Sequence, residues 1–167
     1  RWRDVSWARR CLEQTEVDVD GLDIKELDAL IKGCKRLDGT QVQSGFFDSK
    51  YGADNDNLYV AQVAWFNENG TYHNPRRPFM GPAYEDWMNR THFIRAAERV
   101  FTDIMMGRDF TPRLKQLGQD FADIIATNID DYPGSNSKWW AEYKGFNDPL
   151  LYTGKMLDSV TYRIKKR

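Results

Sequence analysis

The residues to weigh first for chemistry are two histidines, two cysteines and a large set of carboxylates. His73 and His92 stand nineteen positions apart, with neither an HxxxH nor an HExxH spacing. A three-ligand zinc site would have to recruit acidic residues from elsewhere. Cys11 and Cys34 form no CxxC pair, and two cysteines make no disulfide framework. Free thiols fit assembly in the cytosol. A Cys–His nucleophile pair would need the fold to bring distant positions together. Phosphate cradles are absent, with no GxGxxG and no GxxxxGK[ST], and there is no GxSxG elbow. No metal or cofactor is expected.

Glu68, beside the Asn69-Gly70 turn, is the best single candidate for a glycosidase acid, with Asp86 or Asp148 as partner. The plainer reading is a helix-end or interface carboxylate paired with Arg76 or Arg77, and it is preferred because paired surface ions far outnumber catalytic ones. "DYPGSNSKWW", residues 131–140, invites sugar binding through stacked tryptophans. A tryptophan buried under the loop before the final strand is the plainer expectation there. No catalytic residue is assigned, and the chain is not expected to be an enzyme.

These residues sit in a chain of 167 with a net charge of −1, which suits one domain with its own core rather than a basic nucleic-acid binder. Residues 1–167 read as a single domain, with 1–20, which include Trp2 and Trp7, as an N-terminal arm or short helix. The C-terminal "YRIKKR" is the one basic stripe a nucleic-acid module could use, and a solvated strand end is the preferred reading of it. No apolar run approaches the ~20 residues of a membrane helix, since "LYVAQVAWF" is broken by Gln62. No membrane partner is expected.

The elements that must position the candidates follow from periodicity. "DIKELDALIKGCKRLDG" predicts an amphipathic helix with Ile24, Leu27, Leu30, Ile31 and Cys34 inward and an Asp23–Glu26 capping box. "TQVQSGFF" predicts a strand with Val42 and Phe46 on one face. "NLYVAQVAWFNENG" predicts a helix capped by Asp56 or Asn57 and ended by Gly70. "NPRRPF" is extended and stiff, and Pro82 opens a short helix through Trp87.

Ile94, Ala97, Phe101, Ile104 and Met105 mark the next helix. Thr111-Pro112 starts another, with Leu114, Leu117, Phe121, Ile124 and Ile125 inward, and Gly118 at a close helix contact. Residues 139–156 read as turn-rich. "DSVTYRIKK" alternates as a strand with Val160, Tyr162 and Ile164 on one face. The fold class is α+β: several helices packed on a small, mostly antiparallel sheet.

Two stretches carry a family resemblance, "VAQVAWFNENGTYHNPRRPF" at 60–79 and "PLLYTGKMLDSVTY" at 149–162. In this order they resemble the tail-completion and neck proteins of long-tailed bacteriophages. In that family an alanine-rich helix ends in an acidic-x-Gly-Thr turn, followed by Pro-x-Arg-Pro-Phe and, later, Pro-Leu-x-x-Thr-Gly-x-x-x-x-Ser. The matching residues here are Glu68, Gly70 and Thr71; Pro75, Arg77, Pro78 and Phe79; and Pro149, Leu150, Thr153, Gly154 and Ser159, with Met156 at an apolar place. Asn69 stands where an aromatic is usual, and Tyr72-His73-Asn74 lengthens the loop.

The resemblance implies a virion structural protein of the neck or tail end, assembled in the host cytoplasm. It would form a homo-oligomeric ring that meets adjacent neck, connector and tail proteins close to packaged DNA. On that basis Pro75 and Pro78 stiffen an arm. Phe79 is the expected apolar anchor on a neighbouring copy, and Arg77 pairs with a neighbour's carboxylate. Thr153-Gly154 should form the turn that caps a short helix before the last strand.

Overall fold

Strand β1 (Thr40–Phe46) pairs antiparallel with β2 (Val160–Lys166), placing Val42 opposite Ile164, Ser44 opposite Tyr162 and Phe46 opposite Val160. The period of two turns all six toward the helices. On the other face Arg163 donates to Gln43 Oε1 at 3.0 Å and lies 4.0 Å over the Phe47 ring. This sheet belongs to a computed structural model that describes residues 24–53, 56–89 and 91–166. The expectations for Trp2, Trp7, Cys11, the Asp23 end of the capping box and the His92 side chain lie outside the described residues.

Seven helices are found among the described residues: α1 (Ile24–Leu37), α2 (Val60–Asn69), α3 (Met80–Asn89), α4 (Thr91–Met105), α5 (Thr111–Asp130), α6 (Lys138–Lys144) and α7 (Lys155–Asp158). With the two-stranded antiparallel sheet they make the expected α+β architecture.

Helix α5 lies across both strands and is the spine of the fold. It starts where Asp109 accepts from the Thr111 hydroxyl at 2.8 Å, with Pro112 in its first turn. Its buried residues are Leu114, Gly118, Ala122, Ile125 and Ile129, while Leu117, Phe121 and Ile124 flank them half-buried. Gly118 does mark a close contact, but with the sheet rather than a helix. A Cβ there would stand 2.7 Å from the Tyr162 ring and 2.9 Å from Val42 Cγ1. The close approach also lets Ser44 Oγ donate to the Gly118 carbonyl at 2.8 Å.

Two apolar clusters lie along α5. One joins Val100 and Ile104 of α4 to Phe110 and Leu114, with Leu30, Leu37, Val42 and Ile164 packed on it. The other joins Val60 and Ala64 of α2, Phe79, Ala83 of α3, Ile125, Ile129, Leu150 and Met156.

The inward face of α1 differs from the expected stripe. Leu27 and Ile31 are exposed, and so is Cys34, which is therefore not a core residue. The half-buried line is Leu30, Gly33 and Leu37. Gly33 sits where a Cβ would be 2.8 Å from Ile104 Cγ2, so the helix turns its bare position toward α4. On α4 the buried apolar residues are Val100 and Ile104, whereas Ile94 and Met105 face out. Asp103, 7% exposed, bonds Arg113 Nε at 3.2 Å and ties α4 to α5. Arg36 reaches from α1 to Asp109 Oδ1 at 2.9 Å and lies over the Phe110 ring.

Helix α2 begins at Tyr59, whose N–H donates to Gln62 Oε1 at 2.9 Å, rather than at Asp56 or Asn57. Helix α6 takes the start of the stretch expected to be turn-rich, while 145–154 are turn and loop as expected: Ser137 caps the Trp140 N–H and Gly145, left-handed at φ 81°, ends the helix.

Candidate functional site

The family-like residues come together at the junction of α2, α3 and α7. Gly70, at φ 76°, ends α2, and its N–H donates to the Phe66 carbonyl at 2.8 Å. Arg76 folds back so closely that a Cβ on Gly70 would be 3.0 Å from its backbone nitrogen. The loop between them is pinned twice: the Thr71 N–H donates to Asn74 O at 2.9 Å, and the Asn74 N–H donates to Thr71 Oγ1 at 3.1 Å. The Arg77 N–H then donates to Asn67 O at 2.7 Å.

Glu68 is a helix-end carboxylate as expected, but its carboxylate does not make the expected pair with Arg76 or Arg77. Its Oε2 accepts from the N–H groups of Phe79 at 2.7 Å and Met80 at 2.8 Å, and its Oε1 accepts from Gly81 at 3.1 Å. These are donors at the start of α3 that have no partner within the helix. A carboxylate there also meets the positive end of the helix dipole. Arg76 Nε instead donates to the Glu68 backbone carbonyl at 3.0 Å. Chemically this is a helix cap, with both carboxylate oxygens committed to the backbone.

Phe79 corrects the expectation of an anchor for a neighbouring copy. It is 1% exposed, stands edge-on to Phe46 at 6.2 Å and belongs to the core with Leu150 and Met156. The cause is the Glu68 cap, which draws residues 79–81 against α2 and turns the ring inward. Pro78 and Arg77 are half-buried, and Pro75 and Arg76 are exposed. The most exposed part of the arm is Tyr72, 97% exposed, edge-on to His73 at 4.9 Å.

The second motif lines the other side of that core. Pro149 and Leu150 are buried. Thr153 Oγ1 accepts from the Lys155 N–H at 3.3 Å, and Gly154, left-handed at φ 73°, opens α7. Met156 enters the core at 4% exposed. Ser159 Oγ donates to Lys155 O at 2.7 Å and lies 3.0 Å from Ser49 Oγ, bridging α7 to the segment before α2.

Beside this junction Trp139 points outward and Trp140 is only half-buried, short of the expected burial. Trp139 is 69% exposed and Tyr143 63%, with Trp140 half-buried between them and Tyr152. Trp140 and Tyr143 stack at 5.2 Å with 13° between planes, and Trp140 meets Tyr152 at 5.4 Å. The hydrogen bond with Tyr143 raises the Tyr152 phenol above its ordinary pKa. Burial draws the Lys144 ammonium below its ordinary value, Arg77 pushes the same way, and Asp148 opposes both. The helix is too short for periodicity to reveal this aromatic face, though adjacent tryptophans followed three and four positions later by tyrosine would have pointed to it.

Among the described residues no group of three His, Cys, Asp or Glu side chains could hold a metal. No helix of the described residues is long and apolar enough to cross a membrane. Comparison with protein-family models, curated proteins and solved structures found no match to this chain.

Proposed function

We propose that the chain is a bacteriophage virion structural protein of the neck or tail end, a tail-completion or tail-terminator protein that assembles into a ring joining tail to head. The observation that carries this reading is the convergence of both family-like stretches. Phe79 from the first, its amide held by Glu68, shares one core with Leu150 and Met156 from the second. Stretches this far apart in sequence work as one unit: a capped helix start, a pinned loop and a glycine-opened turn.

The unit holds the loop rigid, so little entropy is lost when it docks. With Phe79 in the core, the contact passes to exposed residues. Tyr72 at the loop tip and the Trp139–Tyr143 face of α6 supply the aromatic side chains that interfaces favour. A closed ring requires two different, complementary patches on each copy. Adjacent neck, connector and tail proteins would be its other partners.

The glycosidase alternative has less support, because the Glu68 oxygens are taken up by three backbone amides. The nucleic-acid alternative gains no further feature beyond Arg163, Lys165 and Lys166 on β2.

Native mass measurement of the purified chain, alone and with its neighbouring virion proteins, tests the ring. Imaging of the assembled particle tests its place. A chain that stays monomeric throughout and is missing from the particle would overturn the proposal. Peptidoglycan release by the wild type that vanishes in Glu68→Gln would establish the glycosidase instead.

A further inference from the structure

The segment from residue 131 to 137, between α5 and α6, has no helix or strand beyond its opening turn. Together with α6 and residues 145–147 it walls an open cleft of about 600 Å³. Its polar walls are Ser135, Asn136, Lys138, Glu142 and Asn147, and Phe146 adds an aromatic ring. The Asn136 N–H donates to Asn147 Oδ1 at 2.9 Å and ties one wall to the other.

Asn136 is only 9% exposed, yet neither Nδ2 nor Oδ1 of its carboxamide has a hydrogen-bond partner. A buried polar atom left unpaired costs about 1–3 kcal/mol, so native folds rarely keep one without a use. Nothing in the helix cap, the loop or the α7 turn employs this amide.

The chemistry of the walls narrows the ligand. Lys138 and Glu142 stand one turn apart on the cleft side of α6, so the cleft offers one charge of each sign and selects for neither. Donors and acceptors alternate: Lys138 donates, Glu142 accepts, and Ser135 and the Asn136 amide do both. Phe146 is 38% exposed, with Lys144 Nζ 4.5 Å from its ring centre.

We propose that this cleft binds a neutral pyranose unit of a saccharide. Vicinal hydroxyls pair with Nδ2 and Oδ1 of Asn136, other hydroxyls bridge Lys138 and Glu142, and the C–H face of the sugar lies against Phe146. In this structure both amide atoms are shut off from solvent. The proposal therefore requires the Asn136 side chain to rotate its amide into the cleft when the sugar binds. The site is separate from the stacked rings, because Trp139, Trp140 and Tyr143 lie on the opposite side of α6 at 100° per residue. It does not rest on the ring assembly.

The test is titration of the full chain with maltotriose, cellotriose and chitotriose, read by amide and side-chain NH₂ correlation spectra. Saturable shifts of the Asn136 NH₂ pair, Glu142 and Phe146 with at least one saccharide are the expected result. Phe146→Ala and the exposed Glu142→Ala each weaken binding about tenfold or more. Asn136→Ala also abolishes binding but leaves the unbound protein equally or more stable, because an unpaired buried amide is removed. A packing role would give the opposite stability change. No saturable shift up to roughly 20 mM, where a millimolar site saturates, overturns the proposal. So do shifts confined to Trp139 and Tyr143, and so does binding that all three substitutions leave unchanged.

Discussion

The Glu68 carboxylate and the Phe79 amide meet at 2.7 Å across eleven positions of chain, and this bond decides which way the arm faces. Two further amides complete the cap. Glu68→Ala leaves all three donors without their acceptor at once and should cost about 1–3 kcal/mol, measured by urea unfolding. Glu68→Gln keeps one acceptor oxygen and should lose less. Equal stability in the alanine variant would refute the capping role.

Phe79→Ala should destabilise the isolated chain by about 3–5 kcal/mol, as for a large aromatic removed from a core. Tyr72→Ala should change stability by less than about 0.5 kcal/mol, since an exposed tip supports nothing beneath it. On the proposed ring, the tyrosine variant loses assembly while it stays folded. Thermal unfolding and native mass measurement on the two variants separate the roles.

Gly118→Ala gains helix propensity of about 1 kcal/mol but drives a methyl group into the Tyr162 ring. The overpacking cost of about 1–3 kcal/mol should prevail. Adding Tyr162→Leu should recover part of the loss. A double-mutant cycle with no coupling would show that the sheet moves aside freely.

Hydrogen bonds from Thr111 and Arg36 hold the Asp109 carboxyl below its ordinary 3.8. A depressed carboxylate contributes stability above its unfolded pKa and loses it as pH falls through the folded one. The gap between wild type and Asp109→Asn should therefore persist at neutral pH and close below 3.8. Paired denaturation curves across acid pH would reveal it. Because the ion pair with Arg36 is solvent-exposed, added salt should shrink the gap as well.

Long regular elements were legible because their periods are long enough to read. The strand at 160–166 and the helices begun by Thr111 and ended by Gly70 lie where the pattern put them. The face of α1 was misread because hydropathy counts side chains, whereas Gly33 makes its contact by lacking one. Seven residues of α6 span two turns, too few for a period, and Trp139 and Tyr143 face out although aromatic rings are usually read as core.

At the candidate site, the sequence identified Glu68, Gly70 and the Thr153-Gly154 turn as special positions. It could not name the partners of Glu68, because backbone amides carry no side-chain signature. The orphan amide of Asn136 was invisible for a related reason. Whether a carboxamide is satisfied depends on the pairing of distant loops.

The pairing of Gln43 with Arg163 spans 120 positions. While the chain is being made, the ladder edge of β1 therefore waits unpaired, and the flank of Gly118 lacks the Tyr162 ring, until the second strand emerges from the ribosome. Such distant closure slows folding and leaves nascent molecules prone to sticking to one another. The order of synthesis thus delays the completed fold, and with it any assembly of copies, until nearly all of this sequence has been translated.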